Sequence, residues 1–237
     1  MTIPKIVHHV WLGDAVMHPL MVKWQLDWKR LNPDWKHLLW REVIVGNNKV
    51  VLRHDGDTSN FIDLGDEYHD LLDRSLHLSQ QSNVWRYAII HHFGGVYSDT
   101  DVEPILPLGE TFDHVPAAVS AGRGTGVFEC GLFASEPGSP FTMDLFESLL
   151  LRDPMVHGSM GPKHLTEVAR RHPEVVVLPE KEFLFDPNPW QMGLVRAGIM
   201  DLRKCGSVSP ETKIIHHSSS VWFPDSFKVR EQRGGNR

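Results

Sequence analysis

The stretch that most constrains the fold is residues 94–102, Gly-Gly-Val-Tyr-Ser-Asp-Thr-Asp-Val, in which an apolar strand pattern ends in two carboxylates one residue apart. Alternation along a strand predicts that Asp99 and Asp101 point to one face and Thr100 to the other. Two such acids raise each other's pKa unless a cation or several donors lie between them. Carboxylate oxygens are the ligands that Mg²⁺ and Mn²⁺ prefer, so the pattern indicates a metal site. A turn whose aspartates accept from backbone amides fits the same three residues, and the surrounding sequence has to decide.

Residues 79–93, immediately before this stretch, predict a helix, because an apolar stripe at helical spacing runs to a cap at Gly94. The polar first half of the helix contains Asn83 and Arg86, three residues apart and therefore on one face. Spacing alone allows two interpretations. The pair reaches a ligand held by the following strand, or it belongs to a solvated helix face.

The remaining patterns predict an α/β chain. Strands are expected at 3–12, 35–40, 117–121, 127–134, 174–178 and 213–216, and further helices at 19–31, 139–151 and 161–172. Residues 45–63 show a weak pattern with turn signals and predict a surface loop. The glycine-rich run 122–126 lacks the Lys-Ser/Thr of a P-loop, and is therefore expected to be the turn of a hairpin.

Composition is that of a globular protein, with 237 residues, 41% hydrophobic and 23% charged. With no repeat or linker, we expect one domain over residues 1–227 and a frayed, charged tail at 228–237. No apolar run approaches the roughly 20 residues that span a bilayer and no secretory signal is visible, so a cytoplasmic protein is expected. The net charge of −6 argues against nucleic acid as a partner. Cys130 and Cys205 are too few for a disulfide framework.

Several ordered blocks together resemble glycosyltransferase family 32, a group with an Asp-x-Asp motif that includes yeast initiating mannosyltransferases and is related to the clostridial glucosylating toxins. The blocks are residues 3–13 (Ile-Pro-Lys-Ile-Val-His-His-Val-Trp-Leu-Gly), 32–34 (Asn-Pro-Asp), 82–87 (Ser-Asn-Val-Trp-Arg-Tyr) and 94–102. The resemblance continues through Gly161-Pro162 to Trp222, nearly the whole chain.

The resemblance implies a GT-A fold, a mostly parallel mixed sheet flanked by helices with the nucleotide at the carboxyl ends of its strands. It also implies a retaining transfer of one sugar from a nucleoside-diphosphate sugar, linked to UDP or GDP, with Mn²⁺ or Mg²⁺ as cofactor. By the matching positions, Trp11 is expected to stack on the donor base and Arg86 to contact sugar and phosphate. Asp99 is expected on the ribose and donor sugar, Asp101 on the metal, and Gly95 in the donor-binding set.

At the C-terminal end, His217-x-x-Ser220-x-Trp222 has the spacing at which the related toxins place two metal ligands and a tryptophan on the leaving phosphate. His217 and Ser220 are therefore expected to bind the metal, and Trp222 the diphosphate. In the toxins an acid takes the place of His217, and imidazole is an acceptable ligand for Mn²⁺. His216 is expected to alternate to the far face of its strand and to serve packing.

The sequence departs from the family at Asn83, where the Ser-Asp-x-x-Arg run usually has Asp. An amide accepts hydrogen bonds through one oxygen and adds donors, so the identity of the donor sugar is open. Two alternatives remain at this point: a catalytically silent module that binds a nucleotide-sugar or glycan, and a metal-dependent phosphoryl hydrolase. Among possible acceptors, a glycan is favoured.

Overall fold

A computed structural model describes residues 2–45, 49–54, 57–75, 77–122, 126–156, 158–185 and 208–217. The helices are α1 (Pro19–Leu31), α2 (Asp66–Arg74), α3 (Leu78–Phe93), α4 (Pro140–Glu147) and α5 (Pro162–Ala169), with a 3₁₀ turn at Ser148–Leu151. The strands are β1 (Ile6–Val10), β2 (Lys36–Val45), β3 (Lys49–His54), β4 (Asp57–Asp63), β5 (Gly95–Ser98), β6 (Val102–Pro104), β7 (Ala117–Ala121), β8 (Phe128–Ser135), β9 (Val175–Leu178), β10 (Phe183–Phe185) and β11 (Ile214–His216). No helix in these ranges is long and apolar enough to cross a membrane.

Two sheets organise the described residues. The large one has the strand order β4-β3-β2-β1-β5-β8-β7-β9, and the small one β10-β11-β6. Among the described strands of the large sheet, only β3 and β8 run against the common direction, since β1 is parallel to β2 and β5, and β7 to β9. The expected α/β fold with a mostly parallel mixed sheet is therefore confirmed.

The large sheet carries apolar packing on both faces, as alternation along its strands shows. Tyr97 packs in one buried cluster with Trp85 of α3, whereas its neighbour Val96 packs in a second cluster with Trp28 of α1 and Ile214 of β11. Helices α3, α4 and α5 thus cover one face, while α1 and the small sheet cover the other. The expectation of helices on both faces is confirmed.

The expectation of a surface loop at residues 45–63 is wrong. β2 extends to Val45 and pairs antiparallel with β3, which in turn pairs antiparallel with β4. The turn signals at residues 46–48 and 55–57 fall, in the sequence, between these strands or at the start of β4. They weakened the sequence pattern because they interrupt three strands that follow one another closely.

The junction between α3 and β5 fixes where the aspartates emerge. Gly94 and Gly95 have φ of +63° and +95°, and a Cβ on them would lie 2.6 Å from the Pro137 side chain and from the Ile6 carbonyl oxygen, respectively. Only glycine combines this backbone conformation with such close contact. The helix therefore passes directly into the central strand β5, whose carboxyl end delivers Asp99.

Candidate active site

The segment Asp99-Thr100-Asp101 is a turn between β5 and β6, not a continuation of the strand. The Val102 amide donates to the Asp99 carbonyl oxygen at 3.1 Å, and the Asp99 amide donates to the Gly131 carbonyl oxygen at 2.8 Å. The two carboxylates still converge, as expected, but the turn brings them together and strand alternation does not.

His216, at the end of β11, completes a group that we call the carboxylate cluster: Asp99, Asp101 and His216. Its Nε2 lies 3.2 Å from Oδ1 of Asp101 and 3.9 Å from Oδ2 of Asp99. One ligand atom from each residue lies within 4.8 Å of the others, a spacing at which the three side chains could hold a metal ion. β11 reaches the turn because it pairs antiparallel with β6, with His216 opposite Val102.

The electrostatics of the carboxylate cluster favour a bound positive charge. Burial by itself would lower the pKa of His216, but the carboxylates of Asp101 and Asp99 outweigh it and raise that pKa to about 9. Carboxylate oxygens and an imidazole nitrogen form a donor set suited to Mn²⁺, and acceptable for Mg²⁺ if water supplies further ligands. The residues present therefore fit the divalent cation that the motif implies.

Arg86 is 4% exposed and holds one oxygen of Asp99. Its Nη2 lies 3.1 Å from Oδ1 of Asp99, and the guanidinium also donates to the carbonyl oxygens of Ser82 and Cys130 and to the Ser82 hydroxyl. Tyr97, whose ring lies under the guanidinium, donates its hydroxyl to the same Oδ1 at 2.7 Å. The structure thus places Arg86 beside the carboxylate cluster, buried and not on a solvated helix face, with its guanidinium directed at protein oxygens.

Asn83 lies on the same buried side of α3, next to β8. Its Oδ1 accepts a long hydrogen bond from the Cys130 thiol, at 3.8 Å, and its amide nitrogen faces Gly161 at the start of α5. Burial raises the pKa of Cys130 to about 12, so this thiol stays protonated and can act as the donor. The amide oxygen therefore accepts one long contact from the protein, and Asn83 can offer its amide hydrogens and the second lone pair of its oxygen.

Trp11 does not present an exposed ring. It is 5% exposed, donates its indole N–H to the Ala15 carbonyl oxygen at 2.7 Å, and packs with Met17, Met21 and Trp24. In this conformation no face of the indole is open to a nucleotide base. The sequence located an aromatic residue near the carboxyl ends of the strands but could not show that its neighbours cover it.

The expectation for the two adjacent histidines is reversed. His216, which was expected to pack away from the site, faces both aspartates. His217, the expected metal ligand, places Nε2 3.0 Å from Glu103 and stacks on Trp24 with ring centroids 4.4 Å apart. The physical reason is the register of β11 with β6, which alternation within one strand does not reveal.

The remaining expected site residues divide into two groups. Gly95 lies at the amino end of β5, opposite the end that bears Asp99, and packs against β1. Ser220 and Trp222 lie outside the described residues, as do Cys205 and the tail at 228–237.

Sequence reasoning missed two contributors to the site. Tyr97 precedes Asp99 by two residues, so strand periodicity would have placed the two side chains on one face. Gly131, in β8, has no such signal, because its proximity to Asp99 depends on strand pairing across 32 positions of sequence.

The segment that contains the Asp-x-Asp turn is similar to a known protein family. Residues 20–118, which include the Asp-x-Asp turn, match the family described as "Glycosyltransferase sugar-binding region containing DXD motif". A glycosyltransferase of Acanthamoeba polyphaga mimivirus is 24% identical over 234 residues, covering 94% of this chain and 84% of the relative. Inositol phosphoceramide mannosyltransferase 1 of Schizosaccharomyces pombe is 23% identical over 204 residues, 78% of this chain. That match spans 59% of the yeast protein.

A solved structure supports the fold independently. The galactosyltransferase LgtC, determined in complex with donor and acceptor sugar analogs, superposes with a TM-score of 0.53 at 14% identity, covering 96% of this chain and 93% of LgtC. At this identity the likeness concerns architecture alone. Taken together, residues 20–118 are similar to a sugar-binding region that contains the DXD motif, and the chain has the GT-A fold.

Proposed function

We propose that this protein is a metal-dependent, retaining glycosyltransferase that moves one sugar from a nucleoside-diphosphate sugar to an acceptor hydroxyl. The observation that carries the proposal is the carboxylate cluster, in which Asp99, Asp101 and His216 offer ligand atoms within 4.8 Å of one another. The cluster lies at the carboxyl end of β5, the edge at which open α/β sheets bind their ligands. The proposal takes residues 1–227 as one catalytic domain.

The two aspartates have different roles in this proposal. Oδ1 of Asp99 accepts from Tyr97 and faces Arg86, whereas its Oδ2 is turned toward His216. One oxygen thus orients the carboxylate and the other is directed into the cluster. Asp101 directs Oδ1 at His216. Asp101 is therefore the principal metal ligand, and Asp99 is held so that it can serve both the cation and the donor.

The transfer itself needs no protein nucleophile in this scheme. The bond between the anomeric carbon and the diphosphate oxygen breaks, the acceptor oxygen bonds to the same carbon from the side the diphosphate leaves, and the acceptor proton passes to the departing phosphate. A bound divalent cation would supply positive charge to the leaving diphosphate. Arg86 contributes by fixing Asp99, since its buried guanidinium is directed at that carboxylate and at nearby backbone oxygens.

The donor is proposed to be UDP- or GDP-linked, and the acceptor a glycan or a molecule bearing a comparable hydroxyl. The S. pombe relative is named as a mannosyltransferase, which makes GDP-mannose one donor to test. Asn83 would present amide N–H groups to the donor sugar together with the second lone pair of its oxygen, because the Cys130 thiol occupies only one.

The test is release of nucleoside diphosphate from a panel of UDP- and GDP-sugars, with Mn²⁺, with Mg²⁺ and with EDTA. We expect release from one donor class, dependent on the cation, and its loss in Asp101→Asn. Asp113→Asn, an exposed aspartate after β6, is the matched control and should behave as the unaltered protein does.

Thermal-shift measurements on the same samples separate binding from turnover. Stabilisation by a donor and Mn²⁺ with no release of diphosphate, in the presence of varied acceptors, would favour a silent binding module. Release that is equal in EDTA would contradict metal dependence.

A further inference from the structure

Gly131 lies against the carboxylate cluster from the side of β8. A Cβ on this residue would lie 2.9 Å from Cε1 of His216, 3.1 Å from Oδ2 of Asp99 and 3.2 Å from Nδ1 of His216. Its own carbonyl oxygen accepts from the Asp99 amide at 2.8 Å. The backbone of β8 therefore lies so close to Asp99 and His216 that position 131 has no room for a Cβ atom.

The groups around Gly131 have little freedom to move. Oδ1 of Asp99 is held by Tyr97 and Arg86, so its carboxylate cannot turn without breaking a buried ion pair. The His216 ring is enclosed and lies 3.2 Å from Asp101. A methyl group at position 131 would consequently push either the imidazole away from Asp101 or the carboxylate away from Arg86.

The backbone conformation at position 131 does not require a glycine. Its φ lies outside the left-handed region, so alanine is compatible with the main chain there. Residues near it depart from regular pairing, since the register of β7 with β8 shifts between Val119 and Ser120. A glycine in a bulge often marks close approach of another group, and here that group is the pair Asp99 and His216.

We propose that Gly131 is a positioning residue for the metal site: its missing side chain lets Asp99 and His216 come close enough to share one cation. This inference rests on the proposed function, because it assumes that the carboxylate cluster binds a divalent ion. It adds that the metal site requires glycine at position 131, although this residue is not itself proposed to bind the donor or the metal.

The experiment compares Gly131→Ala with Gly65→Ala. Gly65 precedes α2, has φ of −61°, and has nothing within 4 Å of a Cβ, so its variant controls for the general effect of replacing glycine by alanine. Mn²⁺ binding is measured by the loss of the free-ion electron paramagnetic resonance signal on titration, without donor or turnover. We expect Gly131→Ala to bind Mn²⁺ about 10–100-fold more weakly, the range for residues that orient metal ligands, and Gly65→Ala to bind as the unaltered protein does.

A second measurement guards against a variant that folds poorly. Unfolding midpoints in EDTA are compared for Gly131→Ala, His216→Ala and the double variant. If the methyl group collides with the imidazole, Gly131→Ala lowers the midpoint less in the His216→Ala background than in the unaltered chain. Equal lowering in both backgrounds, together with unchanged Mn²⁺ affinity, overturns the inference while leaving the proposed function intact. An unaltered protein that binds no Mn²⁺ overturns the proposed function, and the inference with it.

Discussion

Two regions meet at the adjacent histidines His216 and His217, and they differ in almost every physical respect. On one side the carboxylate cluster gathers ionisable groups around a small space. On the other, an aromatic cluster of Trp11, Trp24 and His217 closes over apolar neighbours. One peptide unit separates a proposed metal ligand from a packing residue, so the position of a histidine in the sequence does not decide its role.

The two clusters also differ in what they contribute to stability. Stacking His217 on Trp24 buries aromatic surface and is favourable without any ligand. Bringing Asp99 and Asp101 together under partial burial is unfavourable unless positive charge compensates. In the protein without a cation, that charge comes from the Arg86 guanidinium and from the His216 imidazolium, whose pKa the two carboxylates raise. We therefore expect the carboxylate cluster, whose burial is unfavourable, to serve function, and the aromatic cluster, whose burial is favourable, to stabilise the fold.

The largest effect is expected from removing the permanent charge beside the carboxylate cluster. Arg86→Met leaves the buried side of Asp99 without its cation, and breaking a buried ion pair costs about 3–5 kcal/mol. Chemical denaturation in EDTA measures this change in the free energy of unfolding.

Arg74→Met is the matched control for that change. Arg74 also pairs with an aspartate, Asp70, but both side chains are more than half exposed. Such pairs contribute about 0.5 kcal/mol or less. Similar losses in the two variants would show that the carboxylate cluster does not depend on buried compensation.

The next effect concerns the cation itself. At a Mn²⁺ concentration of about 100 times its dissociation constant, binding stabilises the folded protein by about 2.7 kcal/mol. EDTA should reverse this, and Asp101→Asn should remove it, because one ligand oxygen of the cluster is lost. Unfolding curves with Mn²⁺ and with EDTA give both numbers. An Mn²⁺ response that survives in Asp101→Asn would place the cation elsewhere.

Replacing each histidine by asparagine in a separate variant tests whether the two clusters have different roles. His216→Asn is expected to weaken Mn²⁺ binding by at least the roughly 10–100-fold that the loss of a ligand-orienting residue costs, since Nε2 faces both carboxylates. His217→Asn should leave Mn²⁺ affinity close to that of the unaltered protein and lower stability, because it loses the stack on Trp24. Titration of Mn²⁺ into both variants decides between them, and the opposite ranking would assign the ligand role to His217.

The sequence was sufficient to predict the α/β fold, the strands β7 and β8 and the proximity of Asp99 and Asp101, although a turn brings these two side chains together and strand alternation does not. These features depend on local patterns: glycines that end a helix, alternation in short strands, and acids close in sequence. The strands at 49–63 escaped prediction because turn residues dominate their pattern. Their existence depends on pairing with β2.

The histidine assignment and the exposure of Trp11 could not be predicted for a different reason. Which of two adjacent side chains faces Asp101 is set by the register of β11 on β6, across more than 100 positions of sequence. Trp11 is covered because α1 brings Met21 and Trp24 over it. Motif spacing carries no information about either contact.

The smallest expected effect comes from the carboxylate on the aromatic side. Glu103 in β6 accepts from His217 at 3.0 Å, and the His217 amide donates to the Asp101 carbonyl oxygen at the same distance. Glu103→Gln keeps the shape and a hydrogen-bond acceptor but loses the charge, so we expect a loss of about 1 kcal/mol in unfolding free energy. If the two clusters are energetically separate, Mn²⁺ affinity stays unchanged in this variant. A parallel loss of Mn²⁺ affinity would show instead that Glu103 acts through His217 and the shared backbone on Asp101, and would make the aromatic cluster part of the metal site.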